Sequence, residues 1–522
     1  MSEALTVART ALAGTAAWLV GGGVRDGALG RATVDVDVVV DGDTQQAARA
    51  IAAAAGRAFC FSLSDEFGAW RVQSREGAWQ IDVEPLRGGS LQADLALRDF
   101  TVNAIAQPLS GGELIDPLGG LEDVAARRLR MAGPSAFRDD PLRVLRMVRL
   151  YVELELNPDA ETLRAASESA PALERVAGER AFVELCRILS CARAVAGLRL
   201  LRDVGALAVV LPELEALQGI EQNRFHHADV YEHTLEVLQQ TIELEEAVAR
   251  GERDAGGAIG ERGAEVAALL AEPLADGLTR AQALRWGALL HDAAKPLTRG
   301  HRPGGGVTFI GHDVRGAQLA REVLGRLRAS ERTRAYVAAL ARNHLRLGFL
   351  VHEPQPLARA RVYDYLRACE PVEVDVTLLS VADRLATRGD RARESIDAHM
   401  ALAREILPQA LVWHAERAQR PLVRGDDLAA ELRIAEGPLL GELLEEISRA
   451  RYAGELATRE DAIAHARAYA RARATSHENN TEPATGESSS PRAPHEHAAE
   501  HSAGEGSGPR TSHEKSTDDD AE

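Results

Sequence analysis

Aromatic side chains make up only 4% of this 522-residue sequence, which also holds just four cysteines and four methionines. So few aromatics ill suit a sandwich or barrel core, whereas the Ala, Leu and Arg that recur throughout favour helices. Cys60, Cys186, Cys191 and Cys369 stand far apart or at a spacing unlike C-x-x-C. They form neither a disulfide framework nor a zinc ribbon and read as buried thiols in a reducing compartment. No apolar run reaches the roughly 18 residues of a membrane span, and the N-terminus lacks a basic stretch leading into an apolar one. These absences predict a cytoplasmic chain with no membrane contact, and nothing signals an obligate protein partner.

Positive charge is scarce as well: 61 Lys and Arg face 79 Asp and Glu, for a formal net charge of -18. A negative body repels phosphates at long range, so any nucleic-acid contact must come from a local Arg cluster. From Thr475 onward there are 11 acidic and 3 basic side chains, and no Leu, Ile, Val, Phe, Met, Tyr or Trp. Residues 475–522 are therefore expected to be a disordered acidic tail, its five histidines solvated.

The length exceeds what one hydrophobic core organises, so several folded units are expected. Residues 1–12 have amphipathic helical spacing. Strands are predicted at Ala16–Val20 and Val34–Val40, and as a pair at Ala69–Ser74 and Trp79–Glu84, with a helix from Val24 and another over Gln45–Gly56. Residues 1–135 thus read as a small α/β domain. Beyond Pro141 strand signals nearly vanish, and runs such as Leu142–Leu156 and Ala181–Val204 are helical. A Gly-rich, charged insertion at Arg250–Gly263 reads as a flexible loop, and Gly304–Gly306 as a turn.

Two features of the α/β part carry chemistry. In Val34-Asp35-Val36-Asp37-Val38-Val39-Val40, side chains two apart share a strand face, so Asp35 and Asp37 project together while the valines pack. Two adjacent carboxylates repel unless a divalent cation neutralises them, and Mg²⁺ with one or two carboxylates plus phosphate oxygens fits. Upstream, LVGGGVRD (19–26) sets a glycine turn between strand and helix, where backbone N–H groups can face a triphosphate. It matches neither the P-loop nor the G-x-G-x-x-G fingerprint. Asp82 and Glu84 share a strand face and one of them is a candidate third carboxylate. Arg143, Arg146 and Arg149 recur along one helix as a local positive stripe for RNA or triphosphate.

The order GGGVRD, DVD, LRDFTVNAIA (97–106) and DDPLRVLRMVR (139–149) resembles the class II tRNA nucleotidyltransferase and poly(A) polymerase family. The resemblance implies an α+β multidomain protein: a small DNA polymerase β-like nucleotidyltransferase head (1–135), an all-α neck that selects nucleotide and binds RNA (136–215), an HD domain (216–400) and a helical, RNA-gripping C-terminal region (401–474). It implies that Asp35 and Asp37 are the catalytic Mg²⁺ ligands. Gly21, Gly22, Arg25 and Asp26 would form the nucleotide-cradling turn. Arg98 and Asp99, followed in the same motif by Asn103, would recognise the ribose, although Leu97 stands where the family usually has a further Arg. Asp140 and Arg143 would template the incoming base, Arg146 would also bind nucleotide, and Asp139 replaces the family's Glu.

A second constellation, His233, His291-Asp292, His312, His344 and Asp383, with Lys295 after the pair, resembles the HD superfamily of metal-dependent phosphohydrolases. That likeness implies His233, His291, Asp292 and Asp383 as ligands of a divalent transition metal, with His312 and His344 available to a second ion. His226 and His227 are either supporting groups or a helix start. The expected activity is addition of C and/or A from CTP and ATP to the 3′ end of tRNA. Three alternatives remain: a poly(A) polymerase; a CC-adding enzyme, since RGGSLQAD (87–94) is short where complete CCA-adding members carry a longer loop; or an HD phosphohydrolase with a nucleotide-binding head. A noncatalytic tRNA-binding protein is disfavoured, because a polyanion surface gains nothing from two exposed carboxylates.

Overall fold

The computed structural model describes residues 3–31, 35–56, 58–64, 67–221, 229–252, 254, 256–302, 306–387, 392–416 and 421–479, apart from the side chains of Asp35, Ala392, Glu416 and residues 474–479. His226, His227, Gly304, Gly305 and 480–522 of the expected tail lie outside the described residues.

The head is built from α1 (Glu3–Ala11), β1 (Ala17–Val20), α2 (Gly22–Ala28), β2 (Asp35–Val40), α3 (Thr44–Ala54), β3 (Phe59–Ser64), β4 (Ala69–Gln73), β5 (Gln80–Pro85), α4 (Leu91–Ala96) and β6 (Ala106–Pro108). The strands form one sheet in the order β3-β4-β5-β2-β1-β6. β2 and β5 run parallel and the other pairs antiparallel. Strand alternation sorts the two faces. Val36, Val38 and Val40 join Ile81 and Val83 in packing against Ala4 and Ala8 of α1 and Ala47, Ala48 and Ile51 of α3. On the opposite face, α4 covers only the β1–β2–β6 side, through Leu91 and Leu95 against Val20, Val39 and Ala106. β3 and β6 are strands that the sequence reading did not anticipate.

Apart from short strand pairs at Arg128–Leu129 with Asn157–Pro158, Pro273–Ala275 with Leu278–Thr279, and Gly300–His301 with Val307–Thr308, the remainder is helical: α5 (Gly120–Ala125), α6 (Ala136–Asp139), α7 (Arg143–Leu154), α8 (Ala160–Ser169), α9 (Gly178–Leu189), α10 (Ala194–Asp203), α11 (Leu207–Val210) and α12 (Pro212–Glu215). The expected helical run Ala181–Val204 is two helices, α9 and α10, broken at Ser190–Arg193 so that Gly197 packs on Ile188 and Val152. Then follow α13 (Val230–Ala249), α14 (Gly263–Leu270), α15 (Arg280–Leu290), α16 (His312–Arg326), α17 (Glu331–Asn343), α18 (Arg346–Leu350), α19 (Arg359–Cys369), α20 (Glu373–Leu385) and α21 (Ala392–Glu416). The chain closes with α22 (Gly425–Leu432), α23 (Pro438–Ala453) and α24 (Arg459–Asn479).

One apolar core runs without interruption from Phe100 and Leu129 of the head through α7 and α9 to Trp286 of α15 and Leu411 of α21. Phe182 and Trp286 rings meet at 5.7 Å. Beside them, Arg285 pairs with buried Glu245 at 2.7 Å and donates to the carbonyls of Leu189 and Cys191. A separate core from Val423 to Ala466 organises the last three helices. The expected boundary at 400/401 therefore falls inside α21, whose Met400, Ile406 and Leu407 belong to the long core. Likewise α24 continues to Asn479, past the anticipated start of the tail.

The described part of the 250–263 insertion is anchored rather than free. Buried Asp254 accepts from the Ala258 and Ile259 N–H groups, and both of those residues enter the core. Gly306 has φ +108° and leads from the Gly300–His301 strand pair partner into Val307–Thr308, consistent with the expected turn. All four cysteines are free thiols, but only Cys186 and Cys369 are buried, while Cys60 and Cys191 are half-buried.

Candidate functional site

Asp35 and Asp37 lie two residues apart in the unbroken strand β2, as the metal-site reading requires. Asp37 pairs across to Val20 at the end of β1, where the chain turns through Gly21 into α2. Gly21 has φ +69°, a conformation that L side chains rarely adopt. A Cβ there would stand 3.0 Å from an Asp37 carboxylate oxygen and 3.4 Å from the Arg98 guanidinium. The missing side chain thus leaves a notch with a carboxylate on one side and a cation on the other, suited to a magnesium-bound phosphate.

Behind this notch the predicted cradle residues join in one chain of hydrogen bonds. Arg25 donates to Asp26 at 2.9 Å and to the Asn103 carbonyl oxygen at 2.6 Å. The Asn103 amide donates to Asp99 at 2.9 Å. The other Asp99 oxygen receives two bonds from Arg146 of α7, at 2.9 and 2.7 Å. Burial raises the Asp99 pKa, but Arg146 and the Asn103 bond outweigh it and hold the carboxyl well below the usual carboxylate range. The nearby Asp99 charge in turn raises the Arg146 pKa. Arg98 does not pair with Asp99; it is held by Asp94 at 3.2 Å and Glu84 at 3.6 Å.

Asp140 and Arg143, the pair expected to select the base, flank the start of α7. Arg143 donates to the carbonyls of Leu97, Arg98 and Ala136, and burial lowers its pKa. Asp140 accepts from the Leu142 N–H and pairs with Arg180 of α9 at 2.7 Å. Asp139 accepts from the Ser135 hydroxyl. The expected Arg stripe is not a solvent-facing one: Arg149 is buried against Glu184 and Glu153, and burial lowers its pKa to about 10. Asp82 shares the face of Asp37, its partner in register, but is clasped at 2.7 Å by both Arg71 donors.

Arg180 and Glu184 escaped the sequence reading. Glu184 had a usable signal, as an acid on the buried face of the amphipathic helix α9, where it reaches both Arg146 and Arg149.

The second constellation does converge. Asp292 is central and buried, with His291 Nε2 at 3.2 Å and Lys295 Nζ at 2.6 Å, His312 Nε2 at 3.2 Å, His344 Nε2 at 3.7 Å and His233 Nε2 at 3.8 Å. Asp383 lies 3.0 Å from His233 Nε2. Two groups could each hold an ion, His233–His291–Asp292 and Asp292–His312–His344, with Asp292 common to both.

The second ring nitrogens explain the aim of the first. The Nδ1 atoms of His291, His312 and His344 each lie 2.7 to 2.8 Å from a main-chain carbonyl oxygen, of Ala288, Phe309 and Ala341. Donation there orients each ring with its Nε2 facing inward, as metal-bound imidazoles require. Burial and the facing His291 lower the His344 pKa to about 4, keeping that ring neutral. Burial alone would raise the Asp292 pKa, yet His291 and Lys295 hold it well below the usual range.

Comparison with protein families matches residues 17–130 to the poly A polymerase head domain, 155–218 to the "Probable RNA and SrmB- binding site of polymerase A", and 230–388 to the HD domain. The chain is 36% identical to the A-adding tRNA nucleotidyltransferase of Deinococcus radiodurans, over 87% of this chain and 95% of that one. It is 33% identical to the CC-adding tRNA nucleotidyltransferase of Thermus thermophilus, over 86% and 92% respectively. Its fold resembles the Bacillus stearothermophilus CCA-adding enzyme in complex with CTP, with a TM-score of 0.57, 21% identity, and coverage of 91% of this chain and all of that one.

Proposed function

The chain belongs to the tRNA nucleotidyltransferase family, and from that premise we propose that it extends the 3′ end of tRNA in the cytoplasm with cytidine, adenosine or both, consuming CTP or ATP. The observation that carries the proposal is the Gly21–Asp37 notch backed by the Arg25–Asn103–Asp99–Arg146 chain.

Asp35 and Asp37 are the residues that would hold Mg²⁺, which when bound neutralises developing charge and makes the terminal hydroxyl a better nucleophile. Gly21 admits the triphosphate, and Arg98 supplies a cation beside it. The 3′ oxygen forms a bond to the α-phosphorus as the bond from that phosphorus to pyrophosphate breaks. Asp140 and Arg143 offer the acceptor and donor groups that a cytosine or adenine edge pairs with. In doing so they exchange Arg180 and three main-chain carbonyls for the base.

The connection from β5 to α4, residues 86–90, is short, which favours a specialist for part of the CCA sequence. The test supplies tRNAs ending before CCA, after C and after CC, with Mg²⁺ and each labelled nucleotide. Incorporation on at least one end, abolished in Asp35→Ala and Asp37→Ala, is expected. No incorporation by the wild type, or full activity in Asp35→Ala, defeats the proposal.

The histidine geometry favours a second reading for the HD part. His233, His291, Asp292, His312, His344 and Asp383 would hold one or two divalent transition-metal ions, which supply activated water for phosphate-ester hydrolysis. Bound metal should be measurable in the wild type and lost in Asp292→Ala, along with any ring-opening hydrolysis of 2′,3′-cyclic nucleotides to the monophosphate.

A further inference from the structure

The sheet register links the metal-binding strand to an exposed aromatic edge. Asp37 on β2 pairs with Asp82 on β5, Asp82 with Arg71 on β4, and Arg71 with Phe61 on β3. One strand step along, Asp35 pairs with Gln80, Gln80 with Gln73, and Gln73 with Phe59. Residues paired in register project from one face, so Phe59, Phe61 and Asp37 look out on the same side. Phe59 is 53% and Phe61 43% exposed, and Leu63 and Phe67 beyond them are 43% and 69% exposed. An edge strand is ordinarily guarded by charge or proline. Here, in a chain with 4% aromatics, two phenylalanines occupy it instead.

We infer that Phe59 and Phe61 form a stacking platform for unpaired nucleotides just upstream of the RNA 3′ terminus. The inference rests on the nucleotidyl-transfer reading above and extends it to the second substrate. Most of the nucleotide cradle lies to one side of β2, where Gly21 and Arg25 follow β1, Asn103 precedes β6, and Arg143 and Arg146 approach from α7, while Arg98 reaches over to Glu84 on β5. In an in-line displacement the attacking oxygen and the leaving pyrophosphate lie on opposite sides of the α-phosphorus. That leaves the β5–β4–β3 side, which α4 does not cover, for the RNA.

Three strand spacings separate Asp37 from Phe61, about 14 Å, or roughly four stacked nucleotides at 3.4 Å each. The surface in between is polar but locally neutral: Arg71 is offset by Asp82, and Gln73 and Gln80 present amides. The guanidinium of Arg75 lies 5.8 Å from the Phe59 ring centre. Aromatic rings beside amide and guanidinium groups on an open sheet face suit single-stranded bases, which every π-face accepts without regard to sequence.

The experiment measures steady-state incorporation with tRNA and a minihelix for the wild type, Phe59→Ala, Phe61→Ala, Phe61→Leu and Phe61→Trp. The minihelix ends in CC and carries 2-aminopurine at the first unpaired position after its stem. Each alanine variant should raise KM for RNA about 5- to 100-fold while melting temperature, kcat and KM for CTP or ATP stay within twofold. Phe61→Trp should keep RNA affinity and fluorescence quenching, and Phe61→Leu should lose both. A leucine variant that binds like the wild type, or alanine variants with unchanged RNA KM, overturns the platform while the transfer reading stands. Failure of the wild type to incorporate any nucleotide sinks the transfer reading instead, and the platform is then judged on quenching alone. A dimer dissolved by Phe61→Ala in sedimentation assigns this face to a second copy and also overturns the inference.

Discussion

Asp99→Asn is the most informative single change, because an isosteric amide cannot satisfy the partners that this carboxylate serves. Asp99 accepts from the Phe100 N–H and the Asn103 amide on one oxygen and from two Arg146 nitrogens on the other. All four partners are donors in this arrangement. In either orientation an asparagine turns its own N–H₂ toward one pair. Flipping Asn103 to compensate would set its amide nitrogen against Arg25, which donates 2.6 Å away. Removing one partner of a buried charge pair typically costs about 3–5 kcal/mol. Since 33% of the Arg146 side chain is exposed, water recovers part of that, leaving about 2–3 kcal/mol. If the cost falls on the assembled site, kcat/KM for the nucleotide drops roughly 30- to 150-fold. Labelled-nucleotide incorporation on a truncated tRNA, alongside calorimetric melting, measures both shares. An asparagine variant with kcat/KM within threefold of wild type and an unshifted melting temperature would refute the reasoning.

Gly21→Ala adds a methyl group at φ +69° and 3.0 Å from the Asp37 carboxylate, so we expect kcat to fall about 10- to 100-fold from about 1–3 kcal/mol of strain and displacement, read by the same incorporation assay. His399 is buried and its pKa is lowered to about 4, chiefly by burial and then by Arg384. Its unfolded form therefore binds more protons between pH 6.5 and 4, and stability falls as pH drops through that window. Between pH 7 and 5 the loss is about 1–2 kcal/mol, seen as a urea-midpoint difference that His399→Gln flattens. Removing metal with a chelator should lower the melting temperature of the wild type by several degrees but leave Asp292→Ala unmoved, as monitored by scanning fluorimetry.

The strands and helices that were plain in the sequence are those whose periodicity is uninterrupted. Val36 to Val40 announce a strand packed on one face, and α7 carries a long apolar stripe. β3 was missed because FCFSLS alternates with its larger side chains exposed rather than buried, the reverse of the usual pattern. The site was legible where chemistry forces unusual residues, as in two carboxylates on a strand or a His-Asp dipeptide in a helical region. It was not legible where function depends on tertiary approach. No spacing rule links Asp140 to Arg180, forty residues away, or buries Arg149 beneath Glu184. Helices α21 and α24 run through the expected boundaries at 400 and 474, positions where composition changes only gradually.

Because Phe182 on α9 meets Trp286 on α15 and Arg285 grips the end of α9, the histidine-bearing half serves as the floor on which α7 and α9 stand. Excising it would strip apolar surface from α7 and α9 and deprive Leu189 and Cys191 of their donor. A variant stripped of the His233, His291, His312 and His344 side chains would still depend on the helices that carry them.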